Sequence, residues 1–125
     1  MEVIKLDNGI KVAIDPINHS KSFSVGFFIK MGTKYEDEGE HGITHLIEHM
    51  LLKSNLYQNK NNIHSYFSRI GAELNAFTTK EYICIYAQSL AQFSNEVIQQ
   101  LFNMVMYPLF DTNEIEQEKK LFIKK

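Results

Sequence analysis

Between residues 22 and 51 the spacing of apolar side chains changes period, and this restricts the fold more than any other feature. In Ser22–Ile29 the apolar residues Phe23, Val25, Phe27 and Ile29 alternate with smaller or polar ones, the period of two of a half-buried strand. From residue 43 the apolar positions fall at Ile43, Leu46, Ile47, Met50 and Leu51, the spacing of one helical face. A chain that must bury one face of a strand and then one face of a helix packs helices on a sheet.

The rest of the chain repeats this alternation. Val3–Leu6 and Ile10–Asp15 flank Asp7-Asn8-Gly9, and Asn-Gly between two short apolar runs marks a hairpin, because both residues tolerate positive φ. Met31–Glu40 reads as a loop that feeds the first helix. A second helix is expected after an N-cap at Asn61 or Asn62, with Ile63, Phe67 and Ile70 inward and Gly71 as its stop. Glu73–Thr78 and Glu81–Gln88 read as an antiparallel pair of strands. Ser94 is the expected cap of a third helix, which carries Val97, Ile98, Leu101, Phe102 and Val105 and ends before Pro108. Asp111 caps a fourth helix running to Lys125. The expected fold is therefore α+β: a mostly antiparallel sheet of about five strands with helices packed on one face.

Composition excludes several classes of function. The 125 residues are one domain's worth of chain, and 13 Lys and Arg against 15 Asp and Glu leave a net charge of −2. With no basic stripe, neither nucleic acid nor an anionic membrane surface is the expected partner. The single cysteine, Cys84, lies in an apolar run and points to a buried thiol in a reducing compartment. Neither a leader pattern nor a run of apolar residues long enough to span a membrane is present, so a cytoplasmic location is expected.

Chemistry concentrates on the first helix. Three of the five histidines lie between positions 41 and 49. Residues four apart on an α-helix differ by about 40° around the axis, so His45 and His49 can offer two imidazoles to one metal ion. Glu48 borders the same face and can reach a water held at that metal, where a carboxylate acts as general base. Two imidazoles and a carboxylate suit zinc. The same pentapeptide also fits one core histidine and one solvated histidine. His41 lies four residues before His45, but Gly42 follows it directly, and a loop position is expected. Far downstream, Glu114, Glu116 and Glu118 recur on the fourth helix and could add a ligand.

Several ordered blocks then resemble the pitrilysin-type, or inverzincin, metallopeptidases, a family that includes insulin-degrading enzyme and the mitochondrial processing peptidases. They are Leu6-Asp7-Asn8-Gly9-Ile10-Lys11-Val12, Met31-Gly32-Thr33-Lys34-Tyr35-Glu36-Asp37, Gly42 to Met50 with His-x-x-Glu-His inside it, Gly71-Ala72-Glu73-Leu74-Asn75-Ala76-Phe77-Thr78, Pro108-Leu109-Phe110 and the helix Glu114–Lys125. The resemblance spans essentially the whole chain. It implies zinc as cofactor, His45 and His49 as its ligands, Glu48 as the base that activates water, and Glu118 as support for the zinc site. It also implies that Asn75, Ala76 and Phe77 lie on a strand edge beside the zinc helix, where a peptide substrate adds as a further strand.

The implied activity is that of a zinc-dependent endopeptidase acting on short unfolded peptides. In the family a second homologous domain closes over the substrate. Residues 1–125 are accordingly expected to be an N-terminal metallopeptidase domain that belongs to a larger peptidase or needs a partner half. One departure keeps an alternative open. The family's third ligand, a Glu, stands about two helical turns beyond the position of Glu118, and that count falls on Lys125, whose ammonium offers no lone pair. Either the ligand is the next residue along or it has been lost, and in the second case the chain is a non-catalytic peptide-binding homologue.

Overall fold

The computed structural model describes residues 1–124, with side chains described through residue 120. Two strands, β1 (Glu2–Lys5) and β2 (Lys11–Ile14), open the chain as an antiparallel hairpin in which Lys5 faces Lys11. Only Gly9 of the turn takes positive φ, at 93°. Asn8 acts instead through its side chain, whose Oδ1 accepts the Ile10 N–H at 3.1 Å.

The second sheet holds β3 (Ser22–Ile29), β4 (Glu73–Thr78) and β5 (Ile83–Leu90) in the order β3-β5-β4, all antiparallel. Among the described residues five strands are present, as expected, but they form a two-stranded and a three-stranded sheet and not the single sheet expected. Alternation along a strand specifies which side chains turn inward but not which strand is the neighbour. The last strand begins two residues later than expected. Thr79 Oγ1 accepts the N–H groups of Glu81 and Tyr82, at 3.1 and 3.0 Å, and so turns the chain there.

Helices α1 (Ile43–Leu51), α2 (Lys60–Arg69), α3 (Ser94–Met106) and α4 (Thr112–Lys124) complete the fold. The cap of α2 is Asn59, not Asn61 or Asn62: its side chain accepts the Asn62 N–H at 2.8 Å. Ser94 is the first residue of α3 and not its cap, because a short 3₁₀ turn at Ala91–Phe93 leads straight into the helix. Asp111 does cap α4, with Oδ2 3.3 Å from the Glu114 N–H.

One face of the three-stranded sheet carries the core. Ile85 and Ala87 of β5 meet Ile63 and Phe67 of α2, Val97, Leu101 and Met104 of α3, and Leu51 of α1. Phe23, Val25, Phe27 and Ile29 pack against the same cluster. Burying each large apolar side chain contributes about 1.5–3 kcal/mol, which fixes the helices to this face. The other face stays open: Phe28 is 66% exposed and stacks edge-on against Tyr82, which in turn meets Phe77. No helix among the described residues is long and apolar enough to cross a membrane.

Candidate metal centre

The helix bearing the three candidate residues starts without a local cap. Gly42 precedes it at φ 88°, a conformation that favours glycine, and has no side chain to offer. Glu36 supplies the cap from the preceding loop: Oε2 accepts the Thr44 N–H at 2.8 Å and Oε1 the Gly42 N–H at 3.4 Å. The Thr44 N–H, with a smaller contribution from Gly42, holds the Glu36 carboxyl below the usual carboxylate range. The start of this loop is pinned in turn. A Cβ on Gly32 would stand 2.2 Å from the Lys80 carbonyl oxygen, and the Lys34 N–H bonds that oxygen at 3.0 Å. His41 is exposed and lies before Gly42, outside the helix.

From this anchored start, helical geometry places His45, Glu48 and His49 side by side while Met50 and Leu51 turn into the protein. The side chains of His45 and His49 are 53% and 39% exposed, whereas Glu48 is a buried carboxylate. Glu48 Oε2 lies 3.9 Å from His45 Nε2 and accepts a hydrogen bond from the Thr78 hydroxyl of β4. A buried carboxylate is costly unless hydrogen-bonded, and Thr78 meets that need at Oε2.

Glu118 arrives from α4. Its Oε2 lies 3.1 Å from His49 Nδ1, and its Oε1 is 2.7 Å from the Lys53 ammonium. Burial pushes the Glu118 carboxyl up, but the hydrogen bonds from Lys53 and His49 together with the Lys53 charge outweigh it, so the group sits below the usual carboxylate range. The same contact with Glu118 raises Lys53. An ionised carboxylate only accepts, which assigns the hydrogen of the neutral ring to His49 Nδ1 and the lone pair to Nε2.

This donor chemistry fits a zinc ion. Metal-binding imidazoles characteristically pass their other N–H to a carboxylate, which orients the ring, and the His49–Glu118 pair has that form. Both oxygens of Glu118 are engaged, one by His49 Nδ1 and one by the Lys53 ammonium. Among the described residues no group of three His, Cys, Asp or Glu is arranged to hold a metal. Lys125, where a third ligand was expected, lies outside the described residues.

The expected docking residues lie on β4, at the edge of the sheet order, and α1 packs beside that strand. Their side chains divide between two faces. Ala76 packs against the core, whereas Asn75 and Phe77 belong to the open face, where Phe77 meets Tyr82 and Tyr86. The edge itself is backbone and suits an added strand.

Thr78, Glu36 and Lys53 were not singled out from the sequence. The first two stand inside blocks that carried the family resemblance, and that was their signal. Lys53 carried none, because a lysine after a helix is ordinarily solvated.

Comparison with known proteins gives a consistent set of matches. The family described as Insulinase (Peptidase family M16) matches residues 11–125. The zinc protease YmxG of Bacillus subtilis is 34% identical over 114 residues, covering 91% of this chain and 28% of that protein. The beta subunit of the mitochondrial-processing peptidase of Saccharomyces cerevisiae is 29% identical over 120 residues, covering 96% of this chain and 26% of that protein. A protease from Helicobacter pylori superposes with a TM-score of 0.91 at 21% identity, over 96% of this chain and 29% of its own, a likeness of fold. The chain thus spans little more than a quarter of the length of these relatives.

Proposed function

This chain belongs to the insulinase family, peptidase family M16, and from that membership we propose that it is the zinc-binding domain of an endopeptidase that hydrolyses short unfolded peptides. The observation that carries the reading is the joint placement of His45, Glu48 and His49, with Glu118 on His49 and Thr78 on Glu48, beside the edge strand β4.

His45 and His49 would hold the zinc through ring nitrogens. When bound, zinc supplies Lewis-acid polarisation of the scissile carbonyl and makes water a stronger acid. Glu48 takes the proton from the attacking water and passes it to the leaving amine. Thr78 keeps Oε2 of that carboxylate occupied, so the proton is handled at Oε1. Backbone groups of β4 at Asn75, Ala76 and Phe77 bind the peptide as an added strand, which fixes the scissile bond relative to α1. A second homologous domain, on the same polypeptide or a partner chain, closes over the peptide, as the subunit naming of the yeast relative supports. A cytoplasmic location accords with the lone buried thiol at Cys84.

The test is a pair of measurements on the purified protein. One zinc should bind per chain, with affinity reduced by at least about tenfold in His45→Ala and His49→Ala and retained in Glu48→Gln. With the second homologous half present, Glu48→Gln should lower cleavage of an unstructured reporter peptide by about 10²–10⁴-fold. Unchanged cleavage would remove Glu48 from the mechanism. A second reading, peptide binding without hydrolysis, is favoured by the lysine at position 125, where the family's third ligand, a Glu, is expected. Stoichiometric zinc together with cleavage would remove it.

A further inference from the structure

We propose that Lys53 is a positioning residue for the metal centre, acting through Glu118 to hold the His49 imidazole in the orientation and tautomer that present Nε2 to a metal. The inference rests on the reading of His49 as a zinc ligand and concerns a residue outside the His-x-x-Glu-His motif.

Lys53 occupies the turn just beyond α1, where its N–H bonds the Met50 carbonyl at 3.1 Å. From there its side chain runs inward and is only 19% exposed, unusual for a lysine in a turn. The ammonium is 2.7 Å from Glu118 Oε1, and the other oxygen of that carboxylate is 3.1 Å from His49 Nδ1. A carboxylate is a rigid planar group. With one oxygen pinned by an ion pair, the direction of the other is set, and His49 Nδ1 finds its acceptor in one place. Without Lys53, Glu118 would be a buried anion with a neutral imidazole as its remaining ring partner, an arrangement that drives such a group toward water or another rotamer.

The neighbouring residue reinforces the geometry. Ser54 is buried and donates to Glu114 Oε2 at 3.1 Å. Glu114 and Glu118 are four apart and share one side of α4. The turn after α1 therefore grips α4 at two successive levels. The same turn is bound to the segment that leads into α4, through Leu56 N–H to the Tyr107 carbonyl at 3.0 Å and Leu109 N–H to the Ser54 carbonyl at 3.3 Å. The relative register of the two helices is set here, and with it the arrival of Glu118 at His49. Ser54 contributes to that register alone. Lys53 touches the carboxylate that meets the ring.

The experiment compares the protein with its Lys53→Met and Lys53→Arg variants by two readouts. Zinc affinity is measured by competition with a chromophoric chelator. The His49 tautomer is read from the ring ¹⁵N resonances of the metal-free protein at a pH where the ring is neutral. Lys53→Met should weaken zinc binding by about 10-fold or more, the usual effect of losing an outer partner of a metal-binding histidine, and should turn a single Nδ1–H tautomer into a mixture. Lys53→Arg should restore both, since a guanidinium keeps the ion pair. If Lys53→Met does not fold, Lys53→Gln replaces it with the same expected direction. Wild-type affinity and an unchanged tautomer in the Met variant would overturn the proposal. A tautomer that responds as described in a protein that binds no zinc would support the positioning role and overturn the zinc reading instead.

Discussion

The two ends of α1 are held in opposite ways. At the N-terminal end, Glu36 reaches from a loop to two backbone N–H groups and is itself half-buried. At the C-terminal end, a buried carboxylate from α4 is clamped between Lys53 and His49. The first device satisfies backbone donors that any helix start leaves open. The second orients a side chain. The difference teaches that the C-terminal end carries the chemistry-specific constraint, and the N-terminal end a generic one that sets where the helix begins.

Breaking the C-terminal device should have the largest effect. Glu118→Ala leaves the Lys53 ammonium largely buried without its partner and removes the acceptor for His49. A loss of about 3 kcal/mol in urea unfolding is expected, as when one member of a buried ion pair is removed, together with weaker zinc binding. A loss below about 0.5 kcal/mol would place the pair among surface bridges, which contribute little.

The middle of the helix comes next. Thr78→Val keeps the shape of the side chain but takes the hydroxyl from Glu48, leaving one oxygen of a buried carboxylate unsatisfied, and should cost about 1–3 kcal/mol. Thr78→Ser should recover most of that loss. If Val and Ser behave alike, the hydroxyl is not what holds Glu48.

The N-terminal device should matter least for the whole fold and most for its own turn. Glu36→Ala should speed amide exchange of Gly42 and Thr44 while leaving the amides of Met50 and Leu51 protected. Its pH dependence has a definite sign. The folded Glu36 carboxyl is depressed below its unfolded value, so its contribution is complete above the unfolded carboxylate value and is lost as pH falls through the folded one. Fraying at Thr44 should therefore appear on acidification and be absent in the Glu36→Ala variant, which is frayed throughout. Acid-induced fraying that persists in the variant would assign it to another group.

The same contrast explains how much could be read from the sequence. His45, Glu48 and His49 share one helical turn, so period alone brings them together. The strand face of β3 and the inward face of α2 were legible for the same reason, and that of α3 in part: Val97 and Leu101 are buried, but Ile98 is exposed and Met104 is buried in its place. Contacts between distant segments were not: Glu118 meets His49 across 69 positions and Thr78 meets Glu48 across 30. Periodicity is silent about such pairs. Family resemblance singled out Glu118 because it stood at a matching position, and passed over Lys53 because nothing marked it. Local competition hid other details. Asn59, Asn61 and Asn62 all have a side chain suited to cap α2, and only the path of the backbone selects Asn59. Likewise β1 and β2 read correctly as strands, but their separation from the three-stranded sheet depends on partners that alternation does not name.

X-ray absorption at the zinc edge of the loaded protein tests the central claim most directly, because it counts imidazole ligands without reference to activity. One zinc per chain is expected, with two histidine nitrogens at about 2.0 Å and loss of one of them in His49→Ala. Zinc bound without imidazole scattering, or bound identically after both His45 and His49 are replaced, would contradict it.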